Sequence, residues 1–122
     1  MYYYATKDRL WLENIGWPLL RDIARFWSSR IERTTETSYS INKVMPVDEW
    51  CDNDQSKCGD IGVNNAIQTN AVAVVSLVFA NTVGNMLGFE VDPEWADIAN
   101  KLKINFNSST QTHIQWDNGN RS

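Results

Sequence analysis

Residues 64–88 read NNAIQTNAVAVVSLVFANTVGNMLG, and how they fold decides the architecture of the chain. Taken alone, Ala71-Val72-Ala73-Val74-Val75 is rich in β-branched residues and suits a strand. Its surroundings overrule that reading. Asn64 to Leu87 is 24 residues without a proline, several times the length of an ordinary strand. One long helix is therefore expected, ended by Gly88. It is apolar nearly all round, which predicts burial on several sides.

Working outward, Asp92-Pro93-Glu94 supplies an N-cap, a first-turn proline and a first-turn acid. A last helix is expected to follow through Trp95, Ile98 and Leu102. On the other side, Pro46 to Gly62 is an acidic, turn-rich loop. Thr34 to Met45 is polar and β-branched, and predicts a short strand or hairpin ending near Val44. Further upstream, Thr6 to Asn14 reads as a short helix stopped at Gly16 by a left-handed turn. Trp17-Pro18 then opens a second helix with Leu20, Ile23, Ala24, Trp27 and Ile31 at helical spacing. The tail from Phe106 is polar and dotted with aromatics. The expectation is a mainly α chain of about four helices with a small β-excursion. A nearly all-apolar helix needs more partners than three neighbours supply, so the chain reads as a segment of a larger helical domain.

Composition sets further limits. The chain has 122 residues, with 11 Lys plus Arg against 15 Asp plus Glu and a net charge of −4. With 43% hydrophobic residues, it can build a core, so disorder is excluded for most of it. The acidic balance argues against a nucleic-acid partner, which needs clustered Lys and Arg. The apolar stretch 71–80 is about half of the roughly 20 residues a membrane-crossing helix needs, so no span is expected. Residues 1–7 lack the charged start and apolar run of a signal peptide. Compartment and oligomeric state are not readable. Cys51 and Cys58 read as two thiols or as a small disulfide loop. The triplets Asn107-Ser108-Ser109 and Asn120-Arg121-Ser122 fit glycan acceptors, provided the chain enters a secretory compartment.

The loop after the β-excursion holds the best chemical candidates. Val44-Met45-Pro46-Val47-Asp48-Glu49-Trp50 sets two adjacent carboxylates among apolar residues and beside an indole. An apolar setting raises a carboxyl pKa and suits a general acid, and the indole face suits a sugar ring. Downstream, Asn64 and Asn65 read as helix caps. Asn70, inside a helix that disfavours it, is expected to bond a neighbouring loop and hold it. A calcium loop at Asp52-x-Asp54-x-Ser56 fails at Lys57 and Val63, where glycine and glutamate are required. His113 with the two cysteines lacks a metal-ligand spacing. Neither metal nor cofactor is expected.

Four blocks taken together resemble glycoside hydrolase family 65, in its acid-trehalase-like branch. They are Phe26-Trp27-Ser28-Ser29-Arg30, Tyr39-x-Ile41, Val44-Met45-x-x-Asp48-Glu49-Trp50 and Val63-Asn64-Asn65-x-x-x-Thr69-Asn70. The similarity continues through Trp95, Ala99, Lys101 and Ile104. It implies an (α/α)6 barrel, with residues 1–122 as a partial catalytic domain truncated at both ends. It also implies inverting cleavage of an α-glucoside such as a glucosylgalactosyl-hydroxylysine. Glu49 would be the general acid, and Asp48, Trp50, Asn65 and Asn70 would bind substrate. A disaccharide phosphorylase and a non-catalytic carbohydrate-binding remnant are the alternatives. The sequence departs from the family pattern at Val47 and Cys51, where proline and histidine are usual, and in the longer segment 52–62. The family's general base falls beyond Ser122, so the isolated chain is expected to be inactive.

Overall fold

The computed structural model describes residues 2–46 and 62–117. Helix α1 (Tyr2–Thr6) is broken at Lys7, whose φ of 54° no helix continues through. Asp8 then caps α2 (Arg9–Trp11) by accepting from the Trp11 N–H at 3.0 Å. The chain passes through a π-turn, Leu12–Gly16, straight into α3 (Trp17–Ser29). Beyond it, β1 (Glu32–Arg33) pairs antiparallel with β2 (Tyr39–Ser40). The long helix α4 covers Ile67–Leu87 and α5 covers Pro93–Lys101. A last hairpin pairs β3 (Phe106–Asn107) with β4 (Thr112–His113).

Two sequence expectations are corrected here, and one element was not foreseen. Gly16 does not stop a helix: its φ is −63°, and the helix runs on through the π-turn. Glycine stands there because a Cβ would meet Leu12 and Trp11 carbons at 3.0 Å. The long helix begins at Ile67, so Asn64 and Asn65 precede it, and Ala66 at its N-cap donates no side-chain cap. The hairpin β3–β4 was not foreseen in the polar tail; it turns on Asn107, whose side chain accepts from the Ser109 N–H at 2.9 Å.

The other end of α4 is as expected. Gly88 sits at φ 74°, and the Gly88 and Phe89 N–H groups return to Asn85 and Gly84 carbonyls at 3.1 and 2.9 Å. That is a Schellman ending, which a residue without Cβ accommodates best. Asp92 caps α5 through the Glu94 N–H at 2.9 Å.

Burial on α4 is confined to one face, which corrects the expectation of burial on several sides. Asn70, Ala73, Leu77, Ala80, Val83, Gly84 and Leu87 are buried, whereas Val72, Val75, Val78 and Met86 are exposed. The small residues on the buried face let α3 and α5 lie close. Leu77, Ala80, Val83 and Leu87 join Trp17 and Ala24 of α3 and Trp95 and Ile98 of α5 in the main core. The Trp17 and Trp95 rings are 6.1 Å apart at 58°, a favourable tilted arrangement. The expectation that the apolar run is too short for a membrane is also corrected. Residues 61–89 carry no charge, and α4, at 21 residues, is long and apolar enough by length and composition to cross a membrane. In this fold it is the helix on which α3 and α5 pack, and it carries the buried polar Asn70.

Closeness at the top of α4 generates a test. A Cβ at Gly84 would come within 2.5 Å of Val91 and 2.7 Å of Trp17. Gly84→Ala gains about 1 kcal/mol of helix propensity but overpacks the core, which costs about 1–3 kcal/mol. The expected outcome is a lower midpoint in urea unfolding, together with altered Trp fluorescence. An unchanged or higher midpoint would mean that Trp17 is not locked against α4.

Candidate functional site

The segment that carries Asp48, Glu49 and Trp50 enters and leaves through a two-residue neck. Val44 and Val63 exchange both backbone hydrogen bonds, at 3.0 and 2.8 Å. Asp48, Glu49 and Trp50, with Cys51 and Cys58, lie outside the described residues. What the structure describes is the mounting of that segment: its two roots and everything that holds them.

Gly62 forms one wall of the neck. Its φ is +79°, and a Cβ there would sit 2.5 Å from the Val44 carbonyl oxygen and 2.9 Å from its carbon. The left-handed backbone and the close approach both require glycine. Val63 of the neck and Ala66 are buried, with Val44 and Trp116 packed against them.

Behind the neck, a polar cluster ties together five stretches distant in sequence. Asn65 is 1% exposed and stands at φ 53°, a left-handed conformation that asparagine tolerates better than most residues. That turn lets it pair with Ile41 twice: the Asn65 N–H donates to the Ile41 carbonyl at 2.8 Å, and Asn65 Oδ1 accepts from the Ile41 N–H at 3.2 Å. Asn65 Nδ2 donates to Ser40 Oγ at 3.2 Å and to Asp117 Oδ2 at 2.9 Å. Next to it, Asn64 Oδ1 accepts from the Lys43 N–H at 3.1 Å. Asn70, fully buried on α4, donates from Nδ2 to Asn65 Oδ1 at 3.0 Å and to the Lys103 carbonyl at 2.7 Å. Asn105 Nδ2 and Lys103 Nζ both reach Asp117 Oδ1 at 2.9 Å.

The electrostatics follow from this list. Partial burial pushes the Asp117 carboxyl pKa up. Hydrogen bonds from Lys103, Asn105 and Asn65 outweigh it and leave the pKa below the ordinary carboxylate value. Asp117 is therefore an ionised anchor whose negative charge three donors share. One atom in the cluster has no partner: Asn70 Oδ1 is buried without a donor among the described residues. Among those residues no three His, Asp, Glu or Cys side chains gather as metal ligands.

Asn65 and Asn70 are the two expected substrate-binding residues that fall among the described ones. Both side chains are buried, and both amide nitrogens already donate to protein acceptors. What they do touch matches the other expectation for Asn70, since its amide holds the backbone at Lys103. Sequence reasoning missed Asp117, Lys103 and Asn105. The available signal was that Asp117 is the only acid after Asp97. Nothing local indicated which partners it would find 12 to 52 residues away.

Comparison with known proteins adds the wider context. The family profile described as "Glycosyl hydrolase family 65 central catalytic domain" matches residues 1–119. A kojibiose hydrolase of Flavobacterium johnsoniae is 34% identical over 117 residues, 94% of this chain and 16% of that protein. A protein-glucosylgalactosylhydroxylysine glucosidase of Mus musculus is 34% identical over 119 residues, 96% of this chain and 16% of its own. The chain thus spans about a sixth of the length of these relatives. Among solved structures, a putative kojibiose phosphorylase from human microbiome superposes with a TM-score of 0.70 over 92% of this chain and 17% of its own, at 21% identity. That likeness concerns the fold: the mainly helical chain with its short β-excursion is a segment of the same (α/α)6 architecture.

Two outcomes test the mounting. Lowering the pH should destabilise the fold through Asp117. A carboxyl with a depressed folded pKa stabilises above its unfolded value, about 3.9, and that contribution is lost as pH falls through the folded value. Asp117→Asn is expected to cost about 1–3 kcal/mol at neutral pH, because three donors lose a charged acceptor, and to flatten the acid limb of a stability–pH curve. A wild-type acid limb retained in the variant would remove Asp117 from this role. Gly62→Ala should open the neck, with faster amide hydrogen exchange at Val44 and Val63 than in the wild type; unchanged protection would contradict the assigned geometry.

Proposed function

The chain belongs to glycosyl hydrolase family 65, within its central catalytic domain, and from that premise we propose that it supplies the general acid of an inverting α-glucoside hydrolase. One observation carries the reading: the family match runs over residues 1–119 and includes Asp48-Glu49-Trp50 just beyond the neck. The two relatives that share 34% identity are named as hydrolases of glucosyl compounds, which favours water over phosphate as the attacking group.

Glu49, protonated, donates its proton to the glycosidic oxygen as the C1–O bond breaks. Positive charge develops on the sugar ring, and water attacks C1 from the opposite face, giving β-glucose. The base that takes the water's proton belongs to the rest of the catalytic domain, at the wider carboxyl separation that inversion requires. Asp48 hydrogen-bonds sugar hydroxyls, and Trp50 offers an aromatic wall on which the ring stacks. Asn65 and Asn70 contribute to substrate binding through the loop roots they hold. The two roots, Val44 and Val63, are held by a hydrogen-bonded core, which supports the precise placement that an acid needs to meet one oxygen atom. The substrate is a glucoside of the kojibiose or glucosylgalactosyl-hydroxylysine kind.

The test is glucose release from kojibiose, trehalose, maltose and glucosylgalactosyl-hydroxylysine by the full-length parent protein, with and without phosphate. Glu49→Gln should lower turnover by ~10³-fold or more, about 4 kcal/mol of barrier, while proton NMR of the wild-type reaction shows β-glucose first. β-Glucose 1-phosphate would move the assignment to a phosphorylase. Undiminished turnover in Glu49→Gln would overturn the acid assignment. The 122-residue chain alone is expected to release no glucose.

A further inference from the structure

We propose that Asn107 is an acceptor site for an N-linked glycan. It heads the triplet Asn107-Ser108-Ser109, the Asn-x-Ser pattern required for that modification, which takes place on exposed loops. The structure puts the triplet at the tip of a hairpin. Asn107 pairs with Thr112 on the last rung, and Ser108, Ser109, Thr110 and Gln111 are all exposed beyond it. The base of this hairpin is fixed: the Phe106 ring meets His113 edge-on at 5.1 Å, and His113 Nδ1 lies 3.0 Å from the Asn105 carbonyl oxygen. A glycan there would project into solvent from a defined turn.

The hydrogen bonds of Asn107 are compatible with the chemistry. Its Oδ1 accepts from the Ser109 N–H at 2.9 Å and the Thr110 N–H at 3.3 Å, and among the described residues its Nδ2 has no acceptor. In the transfer, Nδ2 attacks C1 of the first sugar of a polyprenyl-diphosphate-linked oligosaccharide. The N–C1 bond forms and the C1–O bond breaks. The polyprenyl diphosphate leaves with the bonding electron pair, and one amide proton passes to the transferase. Only an Nδ2 hydrogen is replaced. The carbonyl oxygen keeps both turn hydrogen bonds, so the hairpin carries the glycan without rearrangement. Ser108, the middle residue, is small and is not proline. The second triplet, Asn120-Arg121-Ser122, lies outside the described residues.

The test expresses the full chain in eukaryotic cells behind a cleavable secretory leader and an N-terminal tag that carries its own glycosylation triplet. Asn120→Gln is present throughout, so that Asn107 is read alone. Transfer acts on the entering chain, so the whole luminal pool is analysed, folded or not. Amidase treatment in heavy-oxygen water followed by peptide mass spectrometry reports each site as labelled aspartate. The expected result is label at the tag and at Asn107, lost at the latter in Asn107→Gln and Ser109→Ala and retained in Ser109→Thr. Label at the tag with none at position 107 overturns the proposal, because the tag proves that the chain reached the transferase. Label that persists in Ser109→Ala overturns it equally.

Discussion

A buried amide must find partners for its carbonyl and its N–H groups, and in this chain that constraint falls on Asn65. Left unpaired, each buried polar group costs about 1–3 kcal/mol. Its carbonyl oxygen accepts from Ile41 and Asn70, and its nitrogen donates to Ser40 and Asp117. Four separate stretches therefore have one arrangement in which all these groups are satisfied together. Isoleucine or leucine could fill the same space but would leave the register of the β-excursion against α4 undetermined. The left-handed φ of 53° at Asn65 goes with the same pairing: in that conformation its own N–H and its side-chain oxygen both bond Ile41.

How much of this could be read from the sequence depends on the range of the forces involved. The C-terminal end of α4 and the start of α5 were legible because their signals are local: a glycine after the last apolar residue, and Asp-Pro-Glu before the next helix. The stripe on α3 was legible in part: helical spacing brings Leu20, Ala24 and Trp27 to the packed face, whereas Ile23 is exposed and Ile31 lies beyond the end of the helix at Ser29. Asn64 and Asn65 were misread as caps because an asparagine just before a helix usually is one. Here the partner of Asn65 is Ile41, 24 residues upstream, and no local pattern announces it. The π-turn before Trp17 was illegible in the same sense, since it arises where Gly16 packs against Trp11 and Leu12. The Asp48-Glu49-Trp50 motif became specific only in combination with three other blocks.

The uneven burial of α4 fits the proposed reading. One face closes onto α3 and α5, while Val72, Val75, Val78 and Met86 stay exposed. On α3, Leu19, Ile23 and Phe26 are exposed as well. A helix without charged residues that is buried on a single face exposes apolar area that a complete barrel would cover with further helices. The relatives are about six times as long as the region they share with this chain, and on the proposed reading it is their remaining helices that have counterparts over these faces.

On the proposed reading, the neck also lets the segment that carries Glu49 vary in length without disturbing the core. The roots at Val44 and Val63 are fixed by their paired backbone bonds, by Gly62 and by the asparagine cluster. Lengthening a segment between two fixed roots is inexpensive, because closure entropy grows only logarithmically and a doubling costs about 0.6 kcal/mol. Glu49 follows Val44 by only five positions, whereas Trp50 precedes Val63 by thirteen. The proposed acid is therefore close along the chain to the root that the core holds, and most of the segment lies on the side that returns to Gly62. On the proposed reading, a change of length on that side leaves the sequence distance from the root to Glu49 unchanged, so the proton donor is the part of the segment that such variation touches least.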